Sequence, residues 1–435
     1  MKFTKEFPSV IKYMGSKTEV LDLIEAGFDY LDRPYKYVCD LFAGSATLSG
    51  ALRNQANVIS NDIQTYSAVF AKAYLSNYSW NCYPEINSIV SSAEKRSEEF
   101  NAFFDDLDKK YSYDRTFTLE EFSQLEEEER QLVDRDDFGV FDDYYLFTKN
   151  YSGTYWSYEQ CVSIDSYRKV IDSYKHIPEY YNLLLTCLMY AMAYNSQSTG
   201  HYAQYRVPET EASMEDILIY RRKKISGFFV SKYHEFELYA NKKNKFKFSV
   251  SAARDCDCLD NLKSGGVVYA DPPYCFVHYS RFYHILETLV KYDYPVIKYK
   301  GRYRTDRYQS EYCIKTEVAS AFAEMFRRVK KKGLDLLLSY SNSETNTINA
   351  DELIRILEKE FNAKTEIDLK KIKHRCEAFY DSDESSLVIS SAQSPYQISV
   401  MKKPYNHSRM GRTVQKTIKV TELLFIAKKN NWYKE

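Results

Sequence analysis

This 435-residue chain contains no CxxC pair. Its nine cysteines are scattered, and only Cys256 and Cys258 lie close together. Such spacing supplies neither the paired thiolates of a zinc finger nor a disulfide framework. No cluster of metal-ligating residues is visible, so no metal is expected. No apolar run reaches the length of a membrane span. The most apolar stretch, "LLLTCLMYAMAY", is too short for one and reads as a buried helix. The opening "MKFTKEFPSV" lacks the apolar stretch of a secretory signal. One sign of charge is not in excess either: the net charge is −1, which gives no whole-chain argument for a polyanionic partner. No internal repeat is visible. These absences point to a protein of a reducing, cytoplasmic compartment with no membrane partner.

What is present is a folding composition, 44% hydrophobic and 28% charged, long enough for a large core and two or three lobes. Tyrosine is abundant, at 41 residues. Tyrosine can stack on bases and bond phosphates, but an A/T-rich coding bias also raises it. Charge is segregated locally. Residues 119–143 are acidic and read as a solvated surface. Residues 221–247, "RRKKISGFFVSKYHEFELYANKKNKFK", are basic with interleaved aromatics, the pattern of a basic groove.

The order of patterns indicates an α/β protein. "YVCDLF" (37–42) and "NVISNDI" (57–63) read as strands, with a turn and helix between them. Residues 64–215 have a helical texture, and 182–194 form their most apolar helix. A polar loop, 195–210, follows, punctuated by Gly200 and Pro208. Strand patterns return at "VVYADPP", at 334–342 and at 421–429. A doubly wound sheet thus begins near 37, is interrupted, and resumes near 267. Leu21, Ile24, Phe28 and Leu31 make one apolar helical stripe, preceded by a turn at Gly15 and Ser16.

Chemistry gathers where these strands end. In "VVYADPPYCF" (267–276), Pro272 and Pro273 cannot donate to a ladder, so the strand stops and holds Asp271 at its carboxyl edge. Open α/β sheets bind ligands there. The alternative is a plain strand-ending turn. Asp40 ends the first strand, and Gly44 and Ser45 allow a tight turn beside small Ala43 and Ala46. Asp62 closes the second strand at the position from which an acid typically bonds ribose hydroxyls. The alternative is a helix cap. Lys17 alone carries no meaning.

Taken in order, "KYMGSK", "DLFAGSA", "SND" and "YADPPY" resemble the DNA adenine N6-methyltransferases of the Dam-like, D12 class in the alpha circular order. "HYSRFYHILETLVKYDYP", "RYRTDRYQSEYC", "LLLSYSNS" and "TELLFIAK" are similar to the corresponding restriction-modification methylases. The resemblance covers 11–62 and 255–342 well, the carboxyl end loosely, and 64–195 hardly at all. It departs at the glycine-rich loop. There the family reads FxGxG, and this chain has Phe42, Ala43, Gly44, Ser45 and Ala46, a change expected to narrow the loop.

The resemblance implies a Rossmann-like, S-adenosylmethionine-dependent methyltransferase sheet with a large, mainly helical insertion for target recognition. It divides the chain into 1–85, an insertion at 86–250, and 251–435. Asp271 and the Pro272 carbonyl would accept the two N–H groups of the adenine amine, favouring the transition state as positive charge grows on nitrogen. Pro273 would stiffen the turn, and Tyr274 would stack on a flipped base. Tyr13, Lys17, Asp40, Phe42, Gly44, Ser45, Asp62, Ile63 and Asp271 would surround the cofactor. Asp255 and Cys256 would meet its adenine, with Asp257 competing for that role.

Duplex DNA is the implied partner, with a cognate restriction endonuclease as a second and a bacterium or phage as the setting. His201, Tyr202, Arg302, Arg304 and Arg307 are the expected DNA contacts. For the arginines the alternative is ion pairing with Asp306 and Glu311. Two other readings remain: a catalytically silent DNA-binding subunit, or methylation of RNA adenine or of cytosine N4.

Overall fold

The computed structural model describes residues 2–430 apart from 5, 12, 14–16, 199–200, 275, 277, 343–345, 364–378, 380–381, 391–393 and 408–417. The turn expected at Gly15 and Ser16, and the break at Gly200, lie outside the described residues.

Short apolar runs make the strands β1 (Tyr37–Asp40), β2 (Val58–Asp62) and β4 (Gly266–Ala270), and the more polar β3 (Phe248–Ala252) lies at the sheet's edge. A two-stranded hairpin follows, β5 (Ile297–Lys298) and β6 (Tyr303–Arg304). Then come β7 (Asp335–Asn342), β8 (Ser386–Val388), β9 (Tyr396–His407) and β10 (Ile418–Lys429). All but the hairpin form one eight-stranded sheet in the order β3-β2-β1-β4-β7-β10-β9-β8. The first five strands in that order pair in parallel, and β10, β9 and β8 continue antiparallel. The chain leaves β1 for β2 and β3 on one side, then returns to β4 on the other. The carboxyl ends of β1 and β4 therefore flank a topological switch point, where open sheets form their binding crevice.

Successive side chains point to opposite faces, and both faces are covered. Val38, Val267 and Leu337 join one apolar cluster, while Cys39, Val268 and Leu336 join the other. The helix Leu21–Leu31 lies on the first face with its expected stripe buried. It packs so close to β10 that a Cβ at Gly27 would sit 2.5 Å from Leu424. Helices Thr65–Leu75, Pro178–Asn195 and Ile225–Tyr239 cover the rest of this face. Helices Val318–Lys331 and Ala350–Phe361 cover the opposite one. A third cluster, containing Phe100, Phe104, Phe122, Phe138, Met214 and Leu218, lies wholly within the mainly helical residues between β2 and β3.

The structure corrects three sequence readings. The sheet resumes at Phe248, not near 267. Strand β3 is an edge strand whose residues are only half-buried or exposed, so it carries no apolar signature. The acidic block is not all solvated, since Glu126 and Glu129 are fully buried. The basic block is partly internal. The Arg221 guanidinium bonds Glu126 at 2.6 Å, and Lys232 is buried with its ammonium 3.9 Å from the Tyr190 ring.

Candidate active site

Adjacent parallel strands β2, β1 and β4 end in, or lead directly to, Asp62, Asp40 and Asp271. This collects three carboxylates at one edge of the sheet. They line a cleft together with Tyr13, Lys17, Phe42, Gly44, Ser45, Ile63, Asp255, Pro272, Pro273 and Tyr274.

Asp40 serves the turn itself. Its Oδ2 accepts from the Ser49 backbone N–H (3.2 Å) and hydroxyl (2.7 Å), tying β1 to the following helix. Burial pushes its pKa up to about 7 against those bonds, and the nearby Asp62 and Asp271 charges add to the rise. Asp62 closes the loop from the other side. Its Oδ2 accepts the Gly44 N–H at 2.9 Å and its Oδ1 the Gln64 N–H at 2.8 Å. Burial raises its pKa to about 6. Gly44 has φ +54°, and a Cβ there would lie 3.0 Å from the Tyr13 ring, so glycine is favoured on both counts.

Ala46, the departure from the family loop, has φ +55° but is fully buried in the apolar cluster behind the loop. It is absent from the cleft lining, so it does not narrow the cleft.

The Asp271 carboxylate is divided. Oδ2 sits 2.6 Å from the Lys17 ammonium, while Oδ1 is buried with no hydrogen-bond partner. Burial raises its pKa to about 6. Lys17 opposes that rise and Glu422 adds to it. Burial by itself would lower the Lys17 pKa, but Asp271, Tyr269 and Glu422 hold it well above the usual lysine value. The Tyr274 ring packs at 5.1 Å against Tyr340, and its carbonyl accepts from the Thr347 N–H at 2.9 Å.

The aromatic wall opposite is larger than the sequence indicated. Tyr13 stacks on Tyr283 (4.5 Å, 13° between planes) and on Tyr279 (5.8 Å, 23°). Its hydroxyl lies 3.3 Å from that of Tyr66. Tyr279 and Tyr283 come from "HYSRFYH", where the i, i+4 spacing places both on one helical face.

Of the three residues weighed for the far end of the cleft, Asp255 alone lines it, accepting from the Tyr312 hydroxyl at 2.7 Å. Cys256 does not. It is the next residue of the helix Asp255–Asn261, so its side chain is turned away from the cleft, with Sγ 3.7 Å from Asp257. Arg254 and Gln64 line the cleft without any sequence signal, and Asn61 and Tyr312 line it from quoted motifs in which neither residue is singled out.

The expected DNA contacts separate. Tyr202 is buried at 3% exposure and its carbonyl accepts from Tyr155, so it belongs to the core. Arg304 is 2% exposed, and its guanidinium donates to Asp293 (2.6 and 2.8 Å) and Asp306 (3.0 and 2.9 Å). Arg302 donates to the carbonyls of Asn150 and Arg130, pinning the hairpin to the helices. In this structure the bonds of all three run within the protein. Asp306 is an ion-pair partner as the alternative reading had it, whereas Glu311 pairs with Arg254. His201 is half-buried against Phe282, and Arg307 is half-buried beside the Tyr303 ring, with Nη1 lacking a partner.

Among the described residues no group of three His, Cys, Asp or Glu side chains is placed to hold a metal ion. Nor is any helix among them long and apolar enough to cross a membrane.

Comparison with known proteins fits this geometry. The family model described as D12 class N6 adenine-specific DNA methyltransferase matches residues 13–347. The chain is 26% identical over 356 residues to modification methylase LlaI of Lactococcus lactis subsp. lactis, covering 79% of this chain and 48% of that protein. It is 24% identical over 371 residues to modification methylase StsI of Streptococcus sanguinis, covering 84% and 48%. It is 25% identical over 348 residues to the type II methyltransferase M.NlaIII of Neisseria lactamica, covering 76% and 84%. The chain thus spans about half the length of the first two.

Proposed function

Because the chain belongs to the D12 class N6 adenine-specific DNA methyltransferase family, we propose that it transfers a methyl group from S-adenosylmethionine to the N6 amine of an adenine flipped from duplex DNA. The observation that carries this reading is the Asp271 carboxylate, with one oxygen neutralised by Lys17 and the other a buried acceptor without a donor. A buried acceptor of that kind calls for a ligand N–H.

The residues present fit the methyl donor. Bound S-adenosylmethionine supplies an electrophilic methyl group. Asp62, fixed by two backbone N–H bonds, keeps lone pairs for ribose hydroxyls. Gly44 opens the loop for close approach, and Asp255 stands at the far end of the cleft. Tyr13, Lys17, Asp40, Phe42, Ser45 and Ile63 complete the walls. Toward the base, Asp271 Oδ1 and the Pro272 carbonyl accept from the amine and hold its lone pair toward the methyl group. Tyr274 covers the base, and Pro273 keeps the turn stiff.

Target selection falls to the helical residues 86–250 and to the segment after β4, with His201 and Arg307 as contacts. The relatives' names place them in modification systems. A cytoplasmic role beside a cognate restriction endonuclease follows for this chain as part of the proposal.

The test uses purified protein, labelled S-adenosylmethionine, and separate duplex DNA and RNA substrates, with the methylated base identified after hydrolysis. N6-methyladenine in DNA is expected. Asp271→Ala should lower its formation by at least about 10²-fold while the protein stays folded. No methylation of any substrate by the wild-type protein would favour a silent DNA-binding subunit. N4-methylcytosine or methylated RNA would replace the adenine-DNA reading.

A further inference from the structure

The sheet order brings a fourth carboxylate to this edge. β10 runs antiparallel to β7, so its beginning, not its end, lies beside the carboxyl ends of the parallel strands. Glu422 sits there, opposite Ser341 on β7. By the twofold alternation it shares a face with Leu424 and Ile426, which belong to the apolar core. Its side chain is 3% exposed, and its Oε1 has no hydrogen-bond partner. Its cross-strand neighbour Lys403 points elsewhere, bonding Asp22 at 2.6 Å. The cation facing Glu422 is Lys17, at 3.6 Å, the same ammonium that binds Asp271 at 2.6 Å.

We infer that Glu422 is a positioning residue for methyl transfer, sharing Lys17 with Asp271 so that the trio stays net negative where the adenine amine acquires positive charge. The inference rests on the proposed methyltransferase reading. A Lys17–Asp271 pair alone would be neutral, and its ammonium would oppose the charge that Asp271 must stabilise. Two carboxylates around one ammonium leave one negative charge over, buried in the same cluster as the unpartnered Asp271 Oδ1.

Among the described residues, the other groups facing the trio do not supply that charge. Tyr269 and Tyr274 approach it as buried phenols held neutral, and Tyr279 lies beyond them. Asp40 lies further along the edge, held by Ser49. The Glu422 charge raises the Asp271 pKa and Lys17 lowers it. Removing Glu422 alone therefore makes Asp271 easier to ionise while leaving it more fully neutralised by Lys17.

The experiment compares wild type, Glu422→Gln and Glu422→Asp. The plateau kcat on methylatable duplex should fall roughly 10–100-fold in Glu422→Gln, with the cofactor and DNA dissociation constants within about twofold of wild type. The acid limb of its pH–rate profile should move to lower pH, and Glu422→Asp should recover part of both. A 13C-carboxylate titration of Asp271 without cofactor should show the same downward shift, independent of turnover. A purely structural Glu422 would change the melting temperature and leave plateau rate, acid limb and carboxylate titration in place, which would overturn the inference. A wild-type protein that methylates no adenine in DNA would instead remove the functional reading beneath it.

Discussion

The Asp62 carboxylate has two duties that one substitution can separate. It accepts the Gly44 and Gln64 N–H groups, so it shapes the loop. In the proposed complex it also accepts from the ribose. Asp62→Ala is expected to weaken S-adenosylmethionine binding by about 1.5–3 kcal/mol, the worth of hydrogen bonds to a charged group. Asp62→Asn keeps one acceptor oxygen and should lose less. Titration calorimetry reads both, and an unchanged dissociation constant for Asp62→Ala would take it out of the cofactor site. Residues of this kind were legible in the sequence because each ends a short apolar run. Asp40, Asp62 and Asp271 announce a strand edge by local pattern alone. Glu422 does not. "TELLFIAK" reads as a strand with a polar start, and a glutamate there looks solvated until β10 is known to lie antiparallel beside β7. Tyr283 was hidden for a similar reason, as one aromatic among many in a tyrosine-rich chain.

At the scale of elements, the hairpin β5–β6 shows how a basic cluster can be engaged within the protein. Arg302 satisfies backbone carbonyls of Asn150 and Arg130, and no sequence pattern discloses a carbonyl. Arg304 finds Asp293, which lies before the hairpin begins. Arg304→Ala should cost on the order of 2 kcal/mol of folding stability. It removes charge-assisted bonds from a buried guanidinium, discounted because both aspartates are about half exposed to screening solvent. Its effect on duplex binding should only follow that lost stability. Arg307→Ala should do the reverse: unchanged stability, weaker binding to all duplexes, and a salt slope reduced by about one. Urea unfolding and binding isotherms at several salt concentrations separate the two. If Arg304→Ala kept full stability yet bound DNA poorly, Arg304 would return to the interface. Strand β3 makes the complementary point, since an exposed edge strand needs no apolar run and so left no mark to read.

For the whole molecule, the buried acids set the direction of its response to pH. Glu129, fully buried in the helix Leu119–Arg130, is pushed up to about 8 by burial, with Arg221 opposing the rise. Asp40 is raised to about 7, and Asp62 and Asp271 to about 6, each chiefly by burial. A carboxyl whose folded pKa exceeds its unfolded one binds its proton more tightly in the native state. Its stabilising contribution is full below the unfolded value, about 4, and is lost as pH rises through the folded value. Between pH 6 and 8, Glu129 titrates across nearly the whole interval and Asp40 across the first half. His284 acts in the opposite sense, because burial lowers its pKa to about 3. Acid below the free histidine value, about 6.5, therefore favours the unfolded chain at that residue. Only the lowest part of the interval is affected, so the carboxyls prevail. The protein without ligands should be more stable at pH 6 than at pH 8 by on the order of 3 kcal/mol, a shift of roughly 2–4 °C in a chain of this size. Scanning calorimetry at the two pH values checks it. Glu129→Gln should flatten most of the dependence, because the glutamine has no proton to lose. A melting temperature higher at pH 8 would mean that these acids are paired or hydrated well enough to ionise without cost, and that the surroundings of Glu129 are not closed to water.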